Sequence, residues 1–355
     1  MNTIYIAWII GTKDIVDALR NKTTMVNILA VLGMVLFFHW FGYLRPFDRD
    51  VYAVVYDEGS SGLTLDTAQL ANGSTYHFIK ATSREDMERK MAHQDLGLVI
   101  PADFGQILSA GGEPTLNGYI FWSHRTRAAA LEEKYTSALT EMLGQPVQVH
   151  IGANIIIPEA DSMGMQATTI LQLLMFVFMA PLFLVPYLVL EEKQTKTMDA
   201  LLVSPASPGQ VVLGKALAGA FYVVVVGGLA CALQWFYVTD WGLALLAFLC
   251  SVLLAVGVAL AIAGFLRSPL HLALWTLPLI LVVLVPPLFY MEPALKESLR
   301  AVLTWFPTSA LASLYLFSRS SGVPLALLWE NLAIVLLTIG LLFALVVWQV
   351  RRSDR

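Results

Sequence analysis

The sequence is poor in charge: 14% of its 355 residues are Asp, Glu, Lys or Arg, against 57% hydrophobic residues. A soluble globular chain carries about 25% charged and about 45–50% apolar residues, so much of this chain must face lipid. Cysteine is nearly absent. Cys231 and Cys250 both lie inside apolar runs, which excludes a disulfide framework and leaves two small buried residues without a redox role. His77, His93, His124 and His150 show no metal-ligand spacing, and no Gly-x-Ser-x-Gly elbow or comparable nucleophile motif occurs. One phosphate-binding motif nearly forms. Gly209, Gly214 and Lys215 fit the first seven positions of Gly-x4-Gly-Lys-[Ser/Thr], but Ala216 stands where a hydroxyl would ligate Mg²⁺. A P-loop also needs a preceding strand and a soluble helix behind it, and here an apolar run follows at once. Nucleotide hydrolysis therefore has no machinery in this chain.

What is present is long apolar runs. A helix needs about 20 mostly apolar residues to cross the hydrocarbon core, and an ionised side chain at its centre is expensive. Charge-free stretches place six spans, at 23–44, 163–190, 216–239, 241–266, 268–291 and 331–350. Trp40, Tyr43, Trp235, Tyr237, Trp241 and Tyr290 lie near their ends, as an interfacial aromatic belt requires. The stretch 301–318 also lacks charge, but Thr304, Pro307, Thr308, Ser309 and Ser313 lower its apolar character. It reads as a re-entrant or interfacial pair of short helices within an outer segment, 292–330, with a seventh span as the competing reading. A seventh span would put Arg351, Arg352 and Arg355 outside.

With the N-terminus inside, the cytoplasmic segments hold ten Lys or Arg residues against three in the outer stretch 292–330. That is a positive-inside bias, and it leaves the tail, 351–355, in the cytoplasm. Residues 1–22 carry five charges ahead of the first apolar run, which does not suit a cleavable signal. There Ile4, Trp8, Ile15 and Leu19 share one helical stripe while Lys13, Asp17 and Arg20 lie opposite. An amphipathic helix in the inner interface fits that pattern, with a frayed tail as the alternative.

Residues 45–162 change character, with 16 acidic against 8 basic residues from 46 onward. Strands are predicted over 51–56, 75–80, 96–100 and 115–122, and helices over 83–94 and 126–143, with Ser83 and Asp86 as an N-terminal cap. This is a small α/β domain inserted after the first span, and the topology puts it outside. Its acid excess reads as a solvated surface.

The loop 191–215 carries the most specific pattern. Glu191 and Glu192 close the second apolar run; Thr197, Met198, Leu201 and Leu202 follow, and Ser204-Pro205 breaks the helix. A short helix there presents an apolar ridge flanked by charge, which a groove on a soluble partner could grip. This stretch resembles the hallmark of type 2 ABC transporter permeases, in which acid-rich residues precede Thr-x-x-x-Leu-Leu-x-[Ser/Thr]-Pro. The likeness extends over the chain: an elbow helix, an insert after the first span containing Leu98-Val-Ile-Pro-Ala-Asp-Phe104, and Trp305-Phe-Pro-Thr308 before the last span. Gln194-Thr-Lys196 departs from the Arg/Glu-Gly turn of relatives.

The resemblance implies an α-helical polytopic membrane protein with six transmembrane helices, residing in a bacterial or archaeal cytoplasmic membrane. It implies the permease subunit of an exporter, with a second permease, the same or related, and two cytosolic ABC ATPase subunits carrying ATP and Mg²⁺. No cofactor on this chain and no nucleic-acid partner are expected. Glu191, Glu192, Thr197, Met198, Leu201, Leu202, Ser204 and Pro205 are then the ATPase-coupling residues. Few polar groups interrupt the spans. Asn27, His39, Gln172 and Gln234 are the candidate substrate pathway, although such groups often serve helix–helix hydrogen bonds. So little polarity points to an apolar or amphipathic substrate such as a drug, lipid or lipopeptide. Sodium extrusion, and a non-transporting sensor or scaffold using the outer domain, are the alternatives.

Overall fold

A computed structural model describes residues 3–43, 50–59, 65, 67–70, 74–91, 94, 96–157, 166–194, 207–266, 268–292 and 295–353. The chain begins with two helices set at 86° to one another, α1 (Thr3–Arg20) and α2 (Lys22–Tyr43). Asn21 makes the corner. Its backbone N–H still donates to Asp17 O at 3.0 Å, closing α1, and its side-chain Oδ1 accepts from Thr24 N at 3.4 Å, opening α2. Asparagine suits this place because its short amide competes with the backbone for the orphan N–H groups of a helix start.

Between α2 and the next long helix lies a mixed sheet. Its strands are β1 (Asp50–Asp57), β2 (Ala68–Gln69), β3 (Thr75–Ala81), β4 (Leu96–Ile100), β5 (Thr115–Phe121), β6 (Gln148–His150) and β7 (Ile155–Ile156). The order is β2-β3-β1-β4-β5-β6, with β7 paired to β5. β1 is parallel to both β3 and β4, while β4 and β5 run antiparallel. Three helices cross or flank it: α3 (Arg84–Lys90), α4 (Phe104–Ser109) and α5 (Ala128–Leu143).

The central strand β4, LGLVI, is buried at every position, so its run is continuously apolar rather than alternating. Leu96, Leu98 and Ile100 pack with Tyr135 and Leu139 of α5 on one face, and Val99 with Met87 and Met91 on the other. Each such burial is worth about 1.5–3 kcal/mol. Gly97 is required by the second face, because a Cβ there would collide with Met91 Sδ.

The cap at Ser83 forms, with Asp86 N donating to Ser83 Oγ at 3.1 Å. The reciprocal bond differs from a capping box: Asp86 Oδ2 accepts from Thr82 N at 3.0 Å. Lys90, with the N–H and hydroxyl of Thr82, holds the Asp86 carboxyl down to about 2.

The rest of the chain is a helical bundle: α6 (Gln166–Gln194), α7 (Pro208–Leu233), α8 (Trp241–Phe265), α9 (Pro269–Tyr290), α10 (Glu297–Leu303), α11 (Pro307–Phe317) and α12 (Leu325–Ser353). α6 is its hub and touches α2, α7, α8, α9 and α11. Pro181 and Pro186 stand inside α6, and neither can donate to the carbonyl four residues before it, at Val177 and Leu182.

Among the described residues four helices are long and apolar enough to cross a membrane: Ala167–Tyr187, Gly209–Leu233, Trp241–Phe265 and Leu325–Arg352. The bent pair α1–α2 makes a fifth if counted as one span, and α9 adds a shorter apolar stretch, Pro278–Tyr290. Length and composition therefore support four to five of the six expected spans. The stretch 301–318 holds the end of α10 and all of α11. At 11 residues, α11 is about 16 Å long, half of a hydrocarbon core. It is buried from Thr308 to Phe317, and two of its hydroxyls find partners inside the bundle, while Ser309 Oγ has none among the described residues. Tyr315 OH lies 2.8 Å from Ser251 Oγ, and Ser313 Oγ donates to Tyr290 OH at 3.2 Å.

Candidate functional site

Among the described residues of the bundle, charge is buried at two places, one at each end of α7. The first is where α7 begins. Ser207 caps it: Gln210 N donates to Ser207 Oγ at 3.4 Å, and Ser207 N donates to Gln210 Oε1 at 2.8 Å. Pro208 takes the first helical position, where its missing N–H costs nothing. The residues 209–215 that resembled a P-loop thus form the first two turns of a helix. The N–H groups of Gln210 and Val211 are committed to Ser207 rather than to a phosphate cradle.

These same residues hold α1. The helix lies across α7 with Ala7, Ile10, Gly11, Asp14 and Ala18 buried. A Cβ on Gly214 would come within 2.6 Å of Ile10 Cγ2, and one on Gly11 within 3.0 Å of Gly214 O. Paired glycines at a crossing let two backbones approach closely. Lys215 Nζ then sits 3.5 Å from Asp14 Oδ2, both side chains being at most 8% exposed. Ile4, Trp8 and Leu19 stay exposed on the neighbouring face of α1. The elbow therefore has three faces: one on α7, one apolar and unburied, and one charged.

The second place is a cleft of about 390 Å³ where the sheet domain meets the bundle. β5 runs into a 3-10 turn, Trp122–Arg127, and this turn clamps the segment that follows α7. Trp122 Nε1 donates to Val238 O at 3.0 Å. Arg125 stacks 4.1 Å from the Trp122 ring centroid and donates to Trp122 O and Phe236 O. Desolvation there lowers its pKa. The turn gives Ser123, His124, Thr126 and Arg127 to the rim of the cleft. Val35 and Phe38 of α2, Phe176 of α6, and Ala230 and Leu233 of α7 make an apolar floor. Thr169, Gln172, Gln234, Phe236 and Tyr237 complete the wall, and no carboxylate is among the fourteen lining residues.

Behind that wall stands Arg319, 2% exposed. The chain around it is pinned. Ser318 O accepts from Thr239 N, Thr239 Oγ1 and Asp240 N, all at 3.0 Å. The guanidinium donates through Nη1 to Thr169 Oγ1 at 2.7 Å and through Nη2 to Gln234 Oε1 at 2.8 Å, and it lies 5.2 Å from the centroid of the Tyr237 ring. Its Nε–H has no hydrogen-bond partner among the described residues, and no described carboxylate lies within salt-bridge distance. Burial pulls its pKa down to about 10, so it stays protonated at neutral pH.

Gln172 and Gln234 come together in the cleft. Asn27 and His39 lie within α2, but their side chains are outside the described residues. Glu191 and Glu192 end α6, again with side chains outside the described residues. Thr197, Met198, Leu201, Leu202, Ser204 and Pro205 fall wholly outside them. Sequence reasoning missed Arg319 and the pair Asp14–Lys215. In the sequence Arg319 is one of the three basic residues of the outer stretch 292–330. The available signal was its position directly after an uncharged run and between Ser318 and Ser320, small residues that allow close packing.

No curated protein matches the chain. The chain does match the family model described as ABC-2 family transporter protein, over residues 22–348. That match starts with α2 and runs through the sheet domain to the last turns of α12, so it covers both the insert and the bundle. On this extent the chain belongs to the ABC-2 family transporter proteins, a family of multi-pass membrane permease subunits that associate with an ABC ATPase.

Proposed function

We propose that this permease subunit is half of an ATP-driven exporter that moves an amphipathic substrate out of the membrane by alternating access. In this reading six helices span: α2, α6, α7, α8, α9 and α12. Segment 292–330 with α10 and α11 enters from the outer side and returns, the sheet domain is external, and both termini are cytoplasmic, as the excess of Lys and Arg in short inner segments favours. A second permease pairs with this one. Two cytosolic ATPases hold ATP and Mg²⁺ and grip the chain around Glu191, Glu192, Thr197, Met198, Leu201, Leu202, Ser204 and Pro205.

The observation that carries the reading is the crossing of α1 on α7, with Asp14 and Lys215 buried at the contact. The segment 191–206 ends at the Ser207 cap of α7, and α1 is fixed to the next two turns. A push on that segment is therefore delivered to the elbow and to α7 as one body. Coupling of this kind needs an arrangement with two states that the ATPase contacts differently. Gln172, Gln234, Asn27 and His39 are the polar groups along the substrate path.

The test is co-expression with the partner ATPase and reconstitution. Glu191→Ala with Glu192→Ala is expected to leave insertion and complex formation intact while stimulated ATPase activity and transport fall at least tenfold. Unchanged transport in the double variant removes the coupling assignment, and a chain that never co-purifies with an ATPase removes the exporter reading.

A further inference from the structure

We propose that the 122–127 turn is a lid on the cleft, latched to the bundle by Arg125 and Trp122, and that opening this latch controls entry to the cleft from the sheet-domain side. The inference rests on the exporter reading only for why such a lid would open; the latch itself does not require it. Arg125 makes the same two contacts on each side of the seam. Toward the sheet domain its guanidinium lies 4.1 Å from the Trp122 ring centroid and donates to Trp122 O. Toward the bundle it lies 5.4 Å from the Trp235 ring centroid and donates to Phe236 O. Both bonds leave from Nη1, so one nitrogen bridges carbonyls on the two sides. A planar, permanently charged guanidinium can stack on rings and reach carbonyls at the same time. Trp122 Nε1 adds a third bond across the seam, to Val238 O at 3.0 Å.

The bundle side of this seam is fixed. Ser318 O accepts from Thr239 N, Thr239 Oγ1 and Asp240 N, and Gln234 Oε1 accepts from Arg319. The segment that the latch grips therefore belongs to the bundle, and the turn is the part that can move. Latch and lining residues also interleave. Trp122 and Arg125 hold the bundle, while Ser123, His124, Thr126 and Arg127 of the same six-residue turn line the cleft. Releasing the first pair must displace the other four.

A permanent anchor is the competing role, and what would make it permanent is a shared apolar core. Among the described residues the core of the sheet domain and the core of the bundle have no member in common. The seam consists of hydrogen bonds and ring contacts instead, with Ser321 Oγ donating to Ile157 O at 3.4 Å as a further link. Domain motion is the expectation across an interface that is not large and hydrophobic. Opening such a seam exposes no core, and water can take over the released carbonyls, so the net cost of each broken bond is modest.

The test uses the full-length chain in phosphatidylcholine nanodiscs, which leave both faces open, and a bulky charged maleimide. Gln172→Cys, in the cleft lining, reports entry; the parent chain with Cys231 and Cys250 gives the background. Labelling through an open state proceeds in proportion to its population. Arg125→Ala, which removes the charge-assisted bond, is expected to speed labelling of Gln172→Cys about tenfold. Trp122→Phe, which keeps a ring and loses only the donor to Val238 O, is expected to speed it about threefold. Ala138→Cys, 2% exposed in the core of the sheet domain, is expected to stay unlabelled in both, because a lid opens without unfolding its domain. An unchanged rate at Gln172→Cys in Arg125→Ala overturns the proposal and makes the turn a fixed anchor. If Arg125→Ala also exposes Ala138→Cys, the decision falls to Trp122→Phe, where an unchanged rate, or equal labelling at both reporters, overturns it. The assay contains no ATPase, so its failure leaves the coupling reading standing, and loss of coupling with the latch effect intact leaves the lid standing.

Discussion

Lys215 and Arg319 are both buried cations, separated by most of α7, yet their surroundings are opposites. Lys215 lies 3.5 Å from a carboxylate that is buried with it. Arg319 has a threonine hydroxyl, a glutamine oxygen and a tyrosine ring, all neutral. From Lys215 to Gln234, the residue that meets Arg319, is about 28 Å along the helix, so the two centres do not compensate one another. The elbow end is electrostatically closed and can serve as a fixed joint. The sheet end holds a cation with no described carboxylate within salt-bridge distance.

The contrast is broken most severely by unpairing the first cation. Asp14→Ala leaves Lys215 buried without its carboxylate and is expected to cost about 3–5 kcal/mol. Loss of protease protection of α1 and a lower melting temperature would report it, whereas replacing both members with Leu and Met should restore most of the loss. A smaller effect is expected from Gly214→Ala. Its Cβ would force Ile10 Cγ2 back from 2.6 Å, an overpacking cost of about 1–3 kcal/mol. Cysteine cross-linking between α1 and α7 would show the wider spacing as a lower yield. The smallest effect sharpens the comparison by its sign. Arg319→Met removes a desolvated charge rather than its partner, so stability is expected to hold or to rise by about 1 kcal/mol in thermal unfolding. A large destabilisation there would mean that the two cations play the same structural role.

Much of this fold was legible because its signals are physical exclusions. Charge is costly at mid-bilayer, so charge-free windows trace apolar helices: 23–44, 241–266 and 268–291 fall within one residue of the ends of α2, α8 and α9, whereas α7 begins eight residues before its window and α12 six. LGLVI could be read as a strand because it is short, β-branched in part and bounded by Asp95 and Pro101, and β4 occupies those five positions. The two-residue strands β2 and β7 left no trace, since no periodicity can be detected over so short a run. Helix α4 was missed for the same reason. For the site, Gln172 and Gln234 were legible as rare polar groups in apolar runs. Arg319 was not, because burial of a charge is decided by Ser318 and by α6 folding past it, contacts 79 to 150 residues away in sequence. Gly214-Lys215 was visible as a motif, but its partners Gly11 and Asp14 gave no hint of their own.

The two prolines of α6 have a mechanical consequence. A helix resists bending through its ladder of hydrogen bonds, and Pro181 and Pro186 each remove a rung between Val177 and Leu190. Stiffness is therefore lowest in that stretch, near the end that runs into Glu191 and Glu192. Torque applied there bends the near part of α6 before it turns the far part, where Thr169 and Gln172 line the cleft. α6 is better described as two rods joined by a compliant hinge than as a single lever. α7, which carries no proline after Pro208, is the stiffer route by which force can cross the bundle.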